Sequence, residues 1–168
     1  MAQQREITVR RARVRDASKI AAFVNPTLPG SRRIDEMTVI ERFGSVGFLL
    51  AEEDGGLVGM LGWQAENLVV RVTDLLVRSV SGHGVVTQVL FAEMERSAAE
   101  LQCEVALLFL PRPAPLALIE FYETFGYESQ VVADLPRAWR DAALEGHLDI
   151  DETVLVKKLR EKRVLRPM

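Results

Sequence analysis

Between Val72 and Leu110 the sequence passes through an apolar stretch, Val72-Thr-Asp-Leu-Leu-Val77, and a glycine-bearing turn, Arg78-Ser-Val-Ser-Gly-His-Gly84. A long amphipathic segment and a second apolar stretch, Glu104-Val-Ala-Leu-Leu-Phe-Leu110, come next. Strand, turn, helix and strand in that order make the two strands parallel neighbours, because a crossover helix returns the chain to the same end of the sheet. The turn adds a second constraint. The first N–H groups of a helix have no intrahelical partner and can face an anion, and Gly82 and Gly84 would let the backbone approach one closely.

The rest of the pattern surrounds this unit with a mixed sheet. Ile7–Ala12 alternates as a half-buried strand does. Asp16 can cap a helix with the stripe Ala17, Ile20, Ala21 and Val24, ended by Asn25-Pro26. A second helix is expected over Asp35–Phe43, with Met37, Ile40 and Phe43 at helical spacing and Gly44 closing it. Two apolar runs, 48–53 and 57–63, flank Asp54-Gly55-Gly56 and predict a β-hairpin. Glu66-Asn67 then turns the chain into a strand over Leu68–Val77, long enough to carry a bulge.

Beyond the glycine turn, Val85, Val86, Val89, Leu90, Met94, Ala98 and Leu101 keep the 3.6-residue period of a helix of four turns or more. Pro111-Arg-Pro-Ala-Pro115 is a stiff connector. It leads to a helix over Leu116–Phe125, with Leu116, Ile119 and Phe125 inward and Gly126 as its stop. A strand over Ser129–Ala133, a short helix over Ala138–Leu144 and a last strand over Glu152–Lys158 complete the chain.

A hydrophobic content of 48% with 27% charged residues suits a soluble globular protein of one domain, expected here over 1–158. Cys103 is the single cysteine, which excludes an internal disulfide framework; beside the run Val105–Phe109 it reads as a small buried hydrophobe. Neither a signal region nor an apolar run of about 18 residues is present, so no membrane association and a cytoplasmic location are expected. Lys157–Met168 carries six basic residues and one acidic one, so residues 159–168 read as a solvated basic tail, and a net charge of −3 leaves −8 on the remainder. No aromatic residues interleave with those charges, which argues against nucleic acid as a partner.

Four pieces of this chain resemble the GNAT superfamily of N-acetyltransferases, and the resemblance covers nearly the whole sequence. They are Ile7–Asp16, Leu57-Val-Gly59, the segment from Val77 to Leu90, and Phe121-Tyr122-Glu-Thr-Phe-Gly126-Tyr127-Glu128. The resemblance implies an α/β (α+β) fold: a mixed, mostly antiparallel sheet of six to seven strands with a splayed parallel pair at its centre and about four helices on both faces. It further implies that acetyl-CoA is the co-substrate, without a metal, and that an acetyl or other short acyl group passes to a primary amine of a small molecule or protein. Terminal strands in this family often mediate a homodimer.

By the same resemblance Ser81, Gly82, His83, Gly84, Val85 and Val86 would hold the CoA pyrophosphate, Thr87 would add a hydroxyl, and the pantetheine arm would lie along Leu76 and Val77. The family pattern is Gln or Arg, two residues, Gly, one residue, then Gly or Ala. Here Ser81 replaces the long polar side chain and Val86 the small residue. Losing one charge-assisted hydrogen bond costs about 1.5–3 kcal/mol, or about one to two decades of affinity. Pro115 stands where the family often has an asparagine.

Amide formation from a thioester needs a neutral amine and a proton donor for the departing thiolate. Tyr122 matches the family position of that donor, and Asp74 is the only carboxylate on the strand before the glycine turn, where family bases are found. Glu66 is a weaker base candidate, and Trp63 and Trp139 could line an acceptor pocket or belong to the core. His83 reads as exposed, and His147 has no ligand-like spacing to another metal-binding residue. A second reading is a non-catalytic member of the same fold that serves as an acyl-CoA sensor or interaction module.

Overall fold

The computed structural model describes residues 6–78, 82–110, 114–146 and 148–160. Seven strands form one sheet in the order β1-β2-β3-β4-β5-β7-β6. The strands are β1 (Ile7–Arg11), β2 (Gly47–Glu53), β3 (Gly56–Glu66), β4 (Val69–Val77), β5 (Val105–Leu108), β6 (Glu128–Val131) and β7 (Thr153–Lys158). The α-helices among the described residues are α1 (Ala17–Val24), α2 (Glu36–Arg42), α3 (His83–Glu100), α4 (Leu116–Glu123) and α5 (Arg137–Glu145). None of the described helices is long and apolar enough to cross a membrane.

Strands β4 and β5 are the parallel pair, in register from Val69–Val105 to Val72–Leu108; β4 then runs on to Val77. The β2–β3 hairpin closes through Asp54 (φ 52°) and Gly55 (φ 79°), two consecutive positive-φ residues as a type I′ turn requires. The β3–β4 connection repeats that geometry with Asn67 (φ 53°) and Leu68 (φ 68°), although a leucine rarely adopts it. The β2–β3 register shifts at Ala51/Glu52, leaving Val58 as an extra residue on β3. Its carbonyl accepts a 2.7 Å hydrogen bond from the Arg78 N–H, just past the end of β4.

The chain divides into two compact units, Met1–Trp63 with Asp74–Met94, and Gln64–Thr73 with Glu95–Met168. In the first, Ile20 and Phe23 of α1 and Val39 of α2 pack with Phe48, Leu50 and Met60. Asp35 caps α2 by accepting from the Thr38 N–H at 2.8 Å. Asp16, almost wholly buried, accepts two 2.8 Å bonds from Arg10 and one from the Arg13 N–H, which holds its carboxyl well below the usual range. In the second unit Val69, Val105, Leu107, Val132, Trp139 and Val156 form the core.

Several helical stripes differ from the sequence reading. On α2 Val39 is buried while Met37 is 60% exposed, and on α4 Tyr122 is the buried residue while Leu116 is 69% exposed. On α3 the buried face is Val86, Thr87, Leu90, Phe91, Met94, Ser97 and Ala98, with Val85 exposed, as is Leu101 just past its end. Thr87 can join it because its hydroxyl donates to the His83 carbonyl at 2.9 Å, leaving only its methyl to pack. Strand β6 gives way at Val132–Asp134 to a 3-10 turn, and β5 ends two residues earlier than its apolar run.

Candidate functional site

Helix α3 begins at His83, and its first intrahelical bond runs from the Val86 N–H to the Gly82 carbonyl at 2.9 Å. The N–H groups of Gly82, His83, Gly84 and Val85 therefore precede the helical ladder, with the positive end of the helix dipole. Ser81 lies outside the described residues, as do His147, the connector residues 111–113 and the tail from 161.

Val86, the branched residue in the glycine motif, is fully buried. It faces β3: a Cβ added at Gly59 would lie 2.6 Å from Val86 Cγ1 and 3.1 Å from Leu90 Cδ1. Gly59 is thus the space that seats the first turn of α3, and Val86 fills it from the core side. Thr87 is equally buried with its hydroxyl on the helix backbone, whereas His83, Gly84 and Val85 are exposed. Leu76 and Val77, at the end of β4, are half-buried.

Three residues before Val77, Asp74 meets Arg42 in a fork. The guanidinium donates from Nη1 to Oδ1 at 2.8 Å and from Nη2 to Oδ2 at 2.6 Å, and its carbon lies 5.2 Å from the Phe48 ring centre. The fork borders a partly open pocket of about 90 Å³, whose apolar wall includes Ile20, Val24, Ile34, Val39 and Met60. Its apolar residues come from α1, α2, the loop between them, β2 and β3. Nothing in the local sequence signals the Arg42–Asp74 pair, since 32 residues separate them.

Tyr122 belongs to the second unit, on α4. Its ring packs edge-on against Phe121, with centres 5.1 Å apart, and it is 5% exposed. Burial pushes its phenol up to about 12, so it remains a neutral proton carrier at neutral pH. Gly126, at φ 93°, ends this helix with bonds from its own N–H to Glu123 and from the Tyr127 N–H to Tyr122, a left-handed cap. Pro115 occupies the N-cap of α4, and its carbonyl accepts from the N–H groups of Leu118 and Ile119.

The remaining candidates divide between core and surface. Trp63 lies over Gly47, where a Cβ would meet the indole at 2.9 Å, and Trp139 is a core residue whose indole N–H donates to Glu104 at 3.4 Å. Glu66 is exposed. Burial pushes the Cys103 thiol up, as for a packing residue. No group of three or more His, Cys, Asp or Glu side chains placed to hold a metal occurs among the described residues.

Solved GNAT enzymes share this architecture. A GNAT-family acetyltransferase from Staphylococcus aureus Mu50 aligns with a TM-score of 0.65 at 13% identity, covering 92% of this chain and 100% of its own. The ribosomal-protein-S18-alanine N-acetyltransferase from Escherichia coli gives 0.65 at 12% identity, covering 97% and 100%. N-acetylglutamate synthase from Neisseria gonorrhoeae, complexed with coenzyme A and N-acetyl-glutamate, gives 0.64 at 20% identity. That match covers 95% of this chain, which spans only 37% of the synthase chain. No protein-family model and no curated protein matches the sequence. The chain has the GNAT fold.

Proposed function

We propose that the protein is an acyl-CoA-dependent N-acyltransferase that moves an acetyl or other short acyl group onto a primary amine. The observation that carries this reading is the start of α3, where the glycines at 82 and 84 meet the positive end of a long helix in a fold whose solved representatives bind coenzyme A. Such a helix start suits a pyrophosphate. Because Val86 packs toward β3, its bulk does not intrude there, and the loss of a small residue at that position costs little.

In the reaction the neutral amine nitrogen attacks the thioester carbonyl, the C–S bond breaks, and the thiolate takes a proton. Tyr122 is the proposed donor of that proton and regains one from solvent. Asp74 already accepts two bonds from Arg42, so its proposed role is to hold the amine while water removes the amine's proton. The acceptor ammonium and acyl-CoA yield the amide, CoA thiol and one proton.

Two groups favour the non-catalytic alternative: the Thr87 hydroxyl is bonded within the helix, and Pro115 supplies no side-chain donor at α4. Calorimetric titration with acetyl-CoA decides between the readings. Saturable binding is expected, and Tyr122→Phe should retain it while slowing thiol release by about 10²-fold or more. Folded protein that gives no heat at millimolar acetyl-CoA overturns the enzyme reading, and unchanged turnover in the phenylalanine variant removes Tyr122 from the mechanism.

A further inference from the structure

The pocket beside the Arg42–Asp74 fork combines three properties on one wall: a small apolar volume, a cation and an anion. Its volume of about 90 Å³ falls well short of the about 150 Å³ in which an engineered apolar cavity holds benzene. A branched aliphatic group of three or four carbons suits that volume better than a six-membered ring. Ile20, Val24, Ile34 and Met60 offer no partner to a charged group inserted among them; the polar members of the lining are Thr38, Arg42 and Asp74.

At the polar side, Arg42 is 40% exposed and Asp74 23% exposed along their side chains, and both line the pocket. The fork engages two of the five N–H donors of the guanidinium, whose planar array also matches a second carboxylate. A ligand with a carboxylate and an ammonium on one carbon would place each charge beside its opposite.

We propose that this pocket selects a free aliphatic α-amino acid, with its side chain among Ile20, Val24 and Met60, its carboxylate on Arg42 and its amine beside Asp74. The inference rests on the acyltransferase reading only for the chemistry after binding. There the amine forms a C–N bond to the acyl carbon as the C–S bond breaks, and the products are an N-acyl amino acid, CoA thiol and one proton. The expected acceptor differs from glutamate, the amino acid present in acetylated form in the gonococcal complex, because its side chain carries no charge.

The test is a panel of L-leucine, L-leucinamide, L-phenylalanine and L-glutamate, titrated calorimetrically into the wild-type protein, with acetyl-CoA titrated separately. Leucine should bind, and the other three should bind at least about tenfold more weakly, since each loses a charged hydrogen bond, suits the volume less well, or buries an unpaired charge. Val24→Phe should abolish leucine binding and keep acetyl-CoA binding; Arg42→Gln should weaken leucine by about ten- to a hundredfold. If Arg42→Gln does not fold, the wild-type panel still decides. Equal binding of leucine and leucinamide, equal binding of glutamate, or no saturable leucine binding up to about 10 mM, above the usual KM range, overturns the proposal. Acetyl-CoA binding without leucine binding sinks this inference alone, and leucine binding without acetyl-CoA binding sinks the acyltransferase reading alone.

Discussion

Each unit of the molecule contains an acid, a base and an aromatic ring in one cluster, and the two clusters differ in what surrounds them. In the first unit Arg42 pairs with Asp74 and lies over Phe48, at the edge of a pocket. In the second, Lys157 of β7 donates to Glu95 of α3 at 2.9–3.0 Å, its ammonium 5.9 Å from the Tyr127 ring centre, and the Tyr127 hydroxyl donates to Glu95 at 3.3 Å. Here one carboxylate gathers a strand, a helix and a tyrosine. The same chemical parts thus hold elements together in one place and present charge to a cavity in the other. Composition of a cluster does not reveal its role; the empty volume beside it does.

Perturbing the two clusters should separate stability from binding. The largest stability effect is expected from Glu95→Ala. Removing one partner of a buried pair costs about 3–5 kcal/mol, and with about a quarter of each side chain exposed we expect about 2 kcal/mol by urea unfolding, with acetyl-CoA binding unchanged per folded molecule. Unchanged unfolding midpoints would show that the second cluster, too, is only a surface feature.

Extremes of pH should distinguish the units next, and each unit holds one tryptophan, Trp63 or Trp139, to report on it. Asp16, in the first unit, has a carboxyl pulled below its ordinary range by Arg10 and the Arg13 N–H. Its stabilisation is present above the unfolded carboxylate pKa of about 3.9 and is lost as pH falls below it. Both tyrosines lie in the second unit, where burial raises them, Tyr122 to about 12. Their stabilisation is complete below the unfolded value of about 10 and is lost as pH rises toward 12. A Trp139→Phe variant should therefore report the first unit's loss in acid, and a Trp63→Phe variant the second unit's loss in base; the reverse pattern would break the assignment.

The smallest stability change belongs to Arg42→Gln. With 40% of its side chain exposed, the pair should contribute less than about 1 kcal/mol after solvent screening, so the unfolding midpoint should barely move while the proposed ligand binds about ten- to a hundredfold more weakly. A large shift instead would make Arg42 a scaffold residue like Lys157.

Local chemistry made much of the fold legible. Asp54-Gly55 announces a turn with positive φ and Gly126 a helix end, because each residue type is suited to the backbone state it occupies. The less legible features are those where a neighbour outvotes the residue. Leu68 at φ 68° and Gln102 at φ 64° take left-handed conformations usually left to glycine or asparagine; Leu68 is held in a two-residue turn, and Gln102 in a cap bonded to Ala99 and followed by a bond from Cys103 to Ala98. The direction of Val86 depends on the missing side chain of Gly59, on a strand far earlier in the chain. The pocket was least legible, since its charged pair joins residues far apart in sequence and its walls come from several elements.

Strand β4 also has a consequence for how the chain can be made or cut. Residues 64–73 belong to the second unit but are threaded between the two segments of the first. A fragment ending at Met94 would contain every residue of the first unit, yet Val69–Val72 would await Val105–Leu108, which it lacks. Its open strand edge could recruit a strand from another molecule. On the ribosome the edge of the same four residues that faces β5 remains unpaired until β5 has emerged, and an unpaired edge exposes the nascent chain to aggregation.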